Sequence, residues 1–267
     1  MKNLAWYSKV ALGLTIFLPL YFGAAALGTK FGIWGWQFGL GTMIGAAGKW
    51  IVGAVAIVAL IVLLIGVAKT PRDTKKVAIG GLGLLVSAFF AYLGVSAQGK
   101  AAENPIYDVS TDTANPPTFS EATMKIRTEA EANPLPDYQT PIGRIEKWEG
   151  VDENLAIQSH AQIITDRYAS LSPLPLGGAS KEDGMEAVAA AMADMGFDDI
   201  RSDAEAGLVE GVATTFWFGF KDDVVARVGD AQIDFRSVSR VGRSDLGANS
   251  ERIAELREAT QARIGQR

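Results

Sequence analysis

The sequence predicts a membrane α-helical anchor of three transmembrane helices joined to an α+β soluble domain with an antiparallel sheet. Three observations predict it. Up to Lys100 the chain carries 9 Lys and Arg against 1 acidic residue, whereas afterwards 16 basic residues face 29 acidic ones, so the two parts carry +8 and −13. The runs Val10–Leu27, Trp50–Ala68 and Val77–Gln98 are uncharged and largely apolar. Beyond Lys100 the pattern changes to capped helical stretches and β-rich runs broken by turns, in roughly 165 residues, enough for one domain with its own core. The expected domains are residues 1–100 and 101–267.

Each apolar run approaches or exceeds the roughly 18–20 residues that a helix needs to cross a hydrocarbon core of about 30 Å. Lipid offers no partner to backbone N–H and C=O groups, so such a run pairs them internally as a helix, and the bilayer is the first expected partner. Lys2 and Lys9, with Ala24-Ala25-Ala26 further on, also fit a cleaved signal peptide. Because the chain carries this stretch from Met1, a retained helix is expected. Lysine and arginine concentrate on the cytoplasmic side of short loops. Lys69, Arg72, Lys75 and Lys76 link the second and third helices, and placing them with Lys2 and Lys9 leaves Lys30, Lys49 and Lys100 opposite. The expected location is a bacterial inner membrane, with a cytoplasmic amino terminus and a periplasmic carboxyl-terminal domain.

The first connection, Phe31 to Gly48, is rich in glycine and contains Trp34 and Trp36, whose amphipathic rings suit the headgroup level. Gly28 and Gly32, Gly35 and Gly39, and Gly41 and Gly45 repeat at four-residue spacing. On a helix that spacing lines one face with small residues and lets another backbone come close. Two readings stay open: packing within this helical unit, or a docking face for another membrane protein. The second helix is also open to an earlier start than Trp50, with Lys49 snorkelling from within it.

In the soluble part, Ala101–Gly150 is interrupted by Asn115-Pro116-Pro117, Asn133-Pro134 and Thr140-Pro141. It reads as an extended wrap with a short helix near Ser120–Ala132. Ser180–Gly196 reads as a helix: Ser180 caps it, Asp183 answers three residues on, and Gly196 supplies the left-handed exit. Met185, Val188, Ala189, Met192 and Met195 share its core face. Leu208–Phe218, Asp223–Val228 and Gln232–Ser239 read as strands, the last two joined by a hairpin around Gly229-Asp230. Ile233, Phe235, Ser237 and Ser239 point one way and Asp234, Arg236, Val238 and Arg240 the other. A final helix carries Ile253, Leu256 and Ile264, giving a sheet with helices on one side.

The runs Thr214–Val228 and Asp234–Asn249, with Tyr107–Asp112 and Asn115-Pro116-Pro117, resemble the family catalogued as domain of unknown function 1499 over roughly residues 105–258. The resemblance implies a domain boundary and a setting in proteobacteria or photosynthetic lineages, often behind a membrane anchor. It implies no catalytic residue.

Candidate chemistry centres on Arg227, Arg236, Arg240, Arg243 and Arg252, the one arginine concentration in an acidic domain. Ser244 and Asp245 read as the start of the last helix, with Asn249 just inside it. Free N–H groups there, beside guanidinium forks, match a carboxylate or phosphate. The alternative is internal pairing with Asp108, Asp112, Asp222 and Asp223, with a carboxylate at the helix start. Lys221-Asp222-Asp223 reads as a solvated turn lacking calcium-loop spacing. His160, the single histidine, reads as structural or surface, with no nucleophile elbow in the chain. With no cysteine and no phosphate loop or dinucleotide fingerprint, no metal or cofactor is expected. The acidity argues against nucleic acid. The expected function is a non-catalytic membrane protein docking on a larger membrane complex as an accessory or assembly subunit. The alternative is a binding module for an anionic small molecule or lipid headgroup, and the third reading a hydrolase.

Overall fold

A computed structural model describes residues 4–264 of the chain, so Lys2, used above for orientation, lies outside the described residues. The chain falls into two compact units, Met1–Gly99 with Phe216–Gly219, and Lys100–Thr215 with Phe220–Arg267.

The helical unit contains three helices long and apolar enough to cross a membrane: α1 (Trp6–Lys30), a span over Gln37–Ala68, and α3 (Thr74–Glu103). The middle span corrects the expected loop. Phe31–Trp36 alone connects, and Gln37–Gly48 is a π-helix that runs without a break into α2 (Lys49–Ala68). Lys49 therefore sits inside a continuous helix, as the earlier-start reading allowed, with its ammonium 5.5 Å from the centre of the Trp50 ring. At 1.5 Å per residue α2 alone is about 30 Å long, the thickness of a hydrocarbon core.

The glycines of the four-residue repeat do not share one role. Gly32, at φ +69°, and Gly35 lie in the connection rather than on a helix face. A side chain at Gly28 would overlap the Trp34 ring, and one at Gly39 would overlap Thr29 and the Ala25 carbonyl. These two glycines admit Trp34, whose Nε1 donates to the Ala25 carbonyl at 3.3 Å; both tryptophans are half-buried, and Trp36 immediately precedes the π-helix. Gly41 faces open space, and a Cβ at Gly45 would meet its nearest atom, the Leu40 carbonyl, at 3.4 Å. A close backbone contact also lies between α2 and α3, outside the repeat. A Cβ at Gly80 would stand 2.6 Å from the Ala59 carbonyl and the Leu63 nitrogen, and one at Gly83 would stand 2.7 Å from the Ala59 Cβ. Backbone cannot yield as a flexible side chain does, so Gly80→Ala is expected to part α2 from α3 and lower the melting temperature of the helical unit in detergent. Gly81→Ala, which faces open space, is expected to leave it unchanged.

The soluble unit has a six-stranded sheet. Its strands are β1 (Asp108–Ser110), β2 (Leu174–Pro175), β3 (Asp198–Asp203), β4 (Leu208–Thr214), β5 (Lys221–Val228) and β6 (Gln232–Ser239). The order is β1-β6-β5-β4-β3 with antiparallel pairing throughout, and β2 shares the outer edge of β6 with β1. Four helices precede or interrupt the strands: α4 (Glu121–Glu129), α5 (Glu153–Ala156), α6 (His160–Arg167) and α7 (Lys181–Asp194), and α8 (Ala248–Ile264) ends the unit. The capping residues set these boundaries. Ser180 and Asp183 form a capping box on α7, Ser159 and Gln162 form one on α6, and Ser120 caps α4. Gly196 leaves α7 at φ +74° as the sequence predicts.

The α7 and α8 helices pack on one face of the sheet. There Met185, Val188 and Met192 meet Val224, Ala226, Ile233 and Phe235, with Ile253 and Leu256 of α8 fully buried. The other face is not open, which corrects the one-sided arrangement: α4 and the wrap cover it, and Asp234 and Arg236 in β6 are buried. The exposed edge is β3, whose Asp198, Asp199, Arg201 and Asp203 discourage pairing with a further strand.

Candidate functional site

Side chains alternate across β6, so Asp234 and Arg236 share one face, followed by Arg240 just past its end. The antiparallel register sets Asp223 opposite Val238, and Arg227 opposite Asp234, on that same face. A buried ionic layer results. Arg236 holds Asp108 of β1 with a bidentate fork, Nε at 3.0 Å and Nη2 at 2.7 Å, while its Nη1 donates to the Pro117 carbonyl at 3.0 Å. The Tyr138 hydroxyl donates to the same carboxylate at 2.5 Å, and burial, then the Asp108 charge, push that phenol well above its usual range. Asp223 accepts from Arg127 of α4 at 2.5 Å and from Arg240 at 2.6 and 3.0 Å. Arg227 spans Asp112 and Asp234 at 3.0 and 2.8 Å. Glu210 of β4 closes the layer by accepting from the Ser120 amide and from the hydroxyls of Ser120 and Thr123. A buried carboxylate is tolerable only with such partners, since an unpaired one would carry its full desolvation cost.

The opposite face has a smaller network. Asp222 pairs with Arg252 of α8 at 2.7 Å. Asn249, fully buried, donates to the Tyr107 carbonyl and the Ser239 hydroxyl, and its Oδ1 accepts from Ser237 and Arg252. The reading of Lys221-Asp222-Asp223 as a solvated turn is thereby overturned: Asp222 and Asp223 lie in β5, 3% and 1% exposed. Local composition suggested a turn, and the arginines that make burial possible come from distant positions 127, 240 and 252.

The start of α8 is also occupied. Asp245 accepts from the amides of Gly247 at 2.9 Å and Asn249 at 2.8 Å, and Ser244 accepts from Leu246 at 3.1 Å. The protein's own carboxylate takes the place of an incoming anion, and burial raises it from its ordinary value to about 6. Among the six predicted residues, Arg236, Arg240, Ser244, Asp245 and Asn249 are therefore engaged inside the fold. Arg243 is exposed and makes no ion pair among the described residues. Beside it stands Lys147, lowered by burial and by the charge of Arg243, with its ammonium 2.5 Å from Asn133 Oδ1.

His160 lies at the start of α6, 0% exposed, in an aromatic cage. The Tyr138 ring stacks on it at 5.5 Å and the Trp148 ring meets it edge-on at 5.0 Å. Neither ring nitrogen has a hydrogen-bond partner among the described residues, and burial lowers the imidazole to about 4. A folded-state value below the ordinary 6.5 means that the unfolded chain binds the proton more tightly. His160 thus contributes stability that is complete above about pH 6.5 and lost as the pH falls towards 4. Asp245, raised from 3.8 to about 6, has the opposite sign: its contribution is complete below 3.8 and lost as the pH rises through 6. Thermal unfolding of His160→Phe between pH 4 and 7 is expected to show a smaller acid-side loss than the parent, and Asp245→Asn a larger one.

A groove of about 410 Å³ lies beside α6, lined by Gln139, Pro141, Ser159, Gln162 and Asp166 among others. It includes none of the predicted site residues. Among the described residues no group of three His, Asp or Glu side chains is placed to hold a metal ion.

Sequence reasoning missed Arg127, Asn133 and the Tyr107–Tyr138–Trp148–His160 cluster. Aspartates inside β-rich runs, at 108, 222, 223 and 234, were the available signal, because a strand interior disfavours aspartate unless a partner awaits it.

No curated protein and no solved structure matches the chain. A family model described as a protein of unknown function (DUF1499) matches residues 108–260. That stretch is more than half of the chain and contains the whole arginine–aspartate layer, from Asp108 to Arg252. The chain belongs to the DUF1499 family.

Proposed function

We propose that this chain is a non-catalytic integral membrane protein whose soluble unit docks, as an accessory or assembly subunit, on a larger membrane complex. The observation that carries the reading is the commitment of Arg127, Arg227, Arg236, Arg240 and Arg252 to carboxylates inside the fold. Groups locked this way rigidify the body and are not free to exchange protons with a substrate. His160 has no nucleophile or carboxylate within hydrogen-bond reach among the described residues, so the hydrolase reading lacks the base–nucleophile pair that such chemistry demands. Gentle solubilisation of native membranes, followed by sizing of the tagged chain, tests the reading. Co-migration with a large assembly is expected, and migration solely as a small monomer would overturn it.

The soluble unit faces the periplasm of a bacterial inner membrane in this reading. Lys69, Arg72 and Lys75 near the α2–α3 connection support that side being cytoplasmic. A carboxyl-terminal reporter active only in the cytosol would reverse the orientation.

The exposed Arg243 beside Lys147 favours a second reading, an anion site of phosphate or carboxylate chemistry on the soluble unit. Two like charges held together are relieved by a bound anion. Inorganic phosphate and phosphatidylglycerol are expected to raise the melting temperature of the parent but not of Arg243→Gln/Lys147→Gln. Absence of any shift in the parent removes this reading.

A further inference from the structure

The β4–β5 hairpin ends in Thr215-Phe216-Trp217-Phe218-Gly219-Phe220. A polar turn is the ordinary way to join two strands. Here the base is clamped, with the Thr215 amide donating to the Phe220 carbonyl at 2.8 Å and the Phe220 amide donating to the Thr215 hydroxyl at 2.9 Å. Gly219, at φ +67°, completes the reversal. The clamp leaves Phe216 71% and Trp217 59% exposed, with their rings packed edge-to-face at 5.2 Å. Elsewhere beyond Lys100 the exposed large apolar side chains, Met124, Ile157 and Leu246, stand singly in the sequence. Scattered apolar residues need no explanation, but a preformed aromatic pair on a clamped tip does.

We propose that Phe216 and Trp217 insert into the headgroup–acyl boundary of the bilayer that carries the chain's apolar helices, as a membrane contact made by the β4–β5 turn. The proposal rests on the membrane reading above. Its support is chemical and topological. Tryptophan and phenylalanine suit the boundary, where an apolar ring is buried and a polar edge stays wet. Exposed Lys221 follows at the base of the turn, suited to a lipid phosphate. The tether is short: α3 ends at Glu103 and β1 begins at Asp108. Within the soluble unit Arg167 donates to the carbonyls of Ala102 and Glu103, both at 2.8 Å. A soluble body attached this closely meets the membrane surface at high effective concentration, so a weak insertion suffices.

The chain contains no cysteine, so single cysteines give unique labels. Phe216→Cys, Ile157→Cys and Leu85→Cys in the full chain, each carrying an environment-sensitive fluorophore, would be reconstituted in phosphatidylcholine/phosphatidylglycerol bilayers. Lipids bearing a nitroxide high on the acyl chain serve as quenchers. Blue-shifted, quenched emission is expected at 216 and at 85, with water-like, unquenched emission at 157. Water-like emission at 216 with quenching at 85 overturns the insertion and leaves the membrane reading standing. A blue-shifted but unquenched label at 216 overturns it in favour of a protein cover. No quenching at 85 removes the membrane reading and this proposal together.

Discussion

Asp223→Asn is expected to destabilise the soluble unit by about 3–5 kcal/mol, the range for breaking a buried ion pair by removing one partner. Asp223 is 1% exposed and balances two guanidiniums at once, Arg127 at 2.5 Å and Arg240 at 2.6 Å. Asparagine keeps the size and one acceptor oxygen but removes the charge, stranding two buried cations. Arg127 also donates to the Asn133 carbonyl at 2.6 Å, so its displacement would loosen the turn that leads from α4 into the wrap. Lys125→Gln supplies the contrast, since that side chain is 77% exposed and its Glu129 partner 66%; a loss of under about 1 kcal/mol is expected for so wet a pair. Denaturant unfolding of the full chain in detergent, followed by tyrosine and tryptophan signals, measures both. Equal, small losses would mean that the layer does not hold this face closed.

Trp148→Ala is expected to cost about 3–5 kcal/mol, as for other large aromatic deletions in a packed core. Trp148 is fully buried in a 3₁₀ turn spanning Glu146–Trp148, within a segment that has little regular structure of its own. Its ring stacks on Tyr107 at 5.0 Å and meets His160 edge-on at 5.0 Å, and its Nε1 donates to the Pro105 carbonyl at 3.0 Å. The wrap is therefore fixed by buried side chains, this indole among them, rather than by a ladder of backbone bonds. The chain has a single histidine, so its ring proton resonance reports the cage directly. In the parent that resonance is expected to titrate near pH 4, and in Trp148→Ala, where water reaches the ring, closer to the ordinary 6.5. Unchanged titration in the variant would show that the indole does not seal the cage.

Much of the architecture is legible along the chain because its causes are local. The Ser180–Asp183 capping box, the exit at Gly196, the hairpin at Gly229 and the bounds of β6 each depend on a few neighbouring residues, and each appears where the pattern puts it. The three apolar helices follow from run length alone. The π-helix at Gln37–Gly48 was not legible, since glycine, alanine and aromatic residues suit a headgroup-level loop as well as a helix. Nor were Gly80 and Gly83 singled out: spacing shows that a face is small, but the approach of Ala59 decides which face is used.

By itself the sequence determined that apolar spans precede an acidic α+β body, because burial in lipid and strand alternation are both written in residue order. Tertiary structure decided which charges are available. Arg236 and Arg243 are alike in the sequence, yet one is locked onto Asp108 across a separation of 128 residues and the other stands in solvent. The desolvation cost of a charge depends on what folding brings beside it, and residue order does not contain that distance.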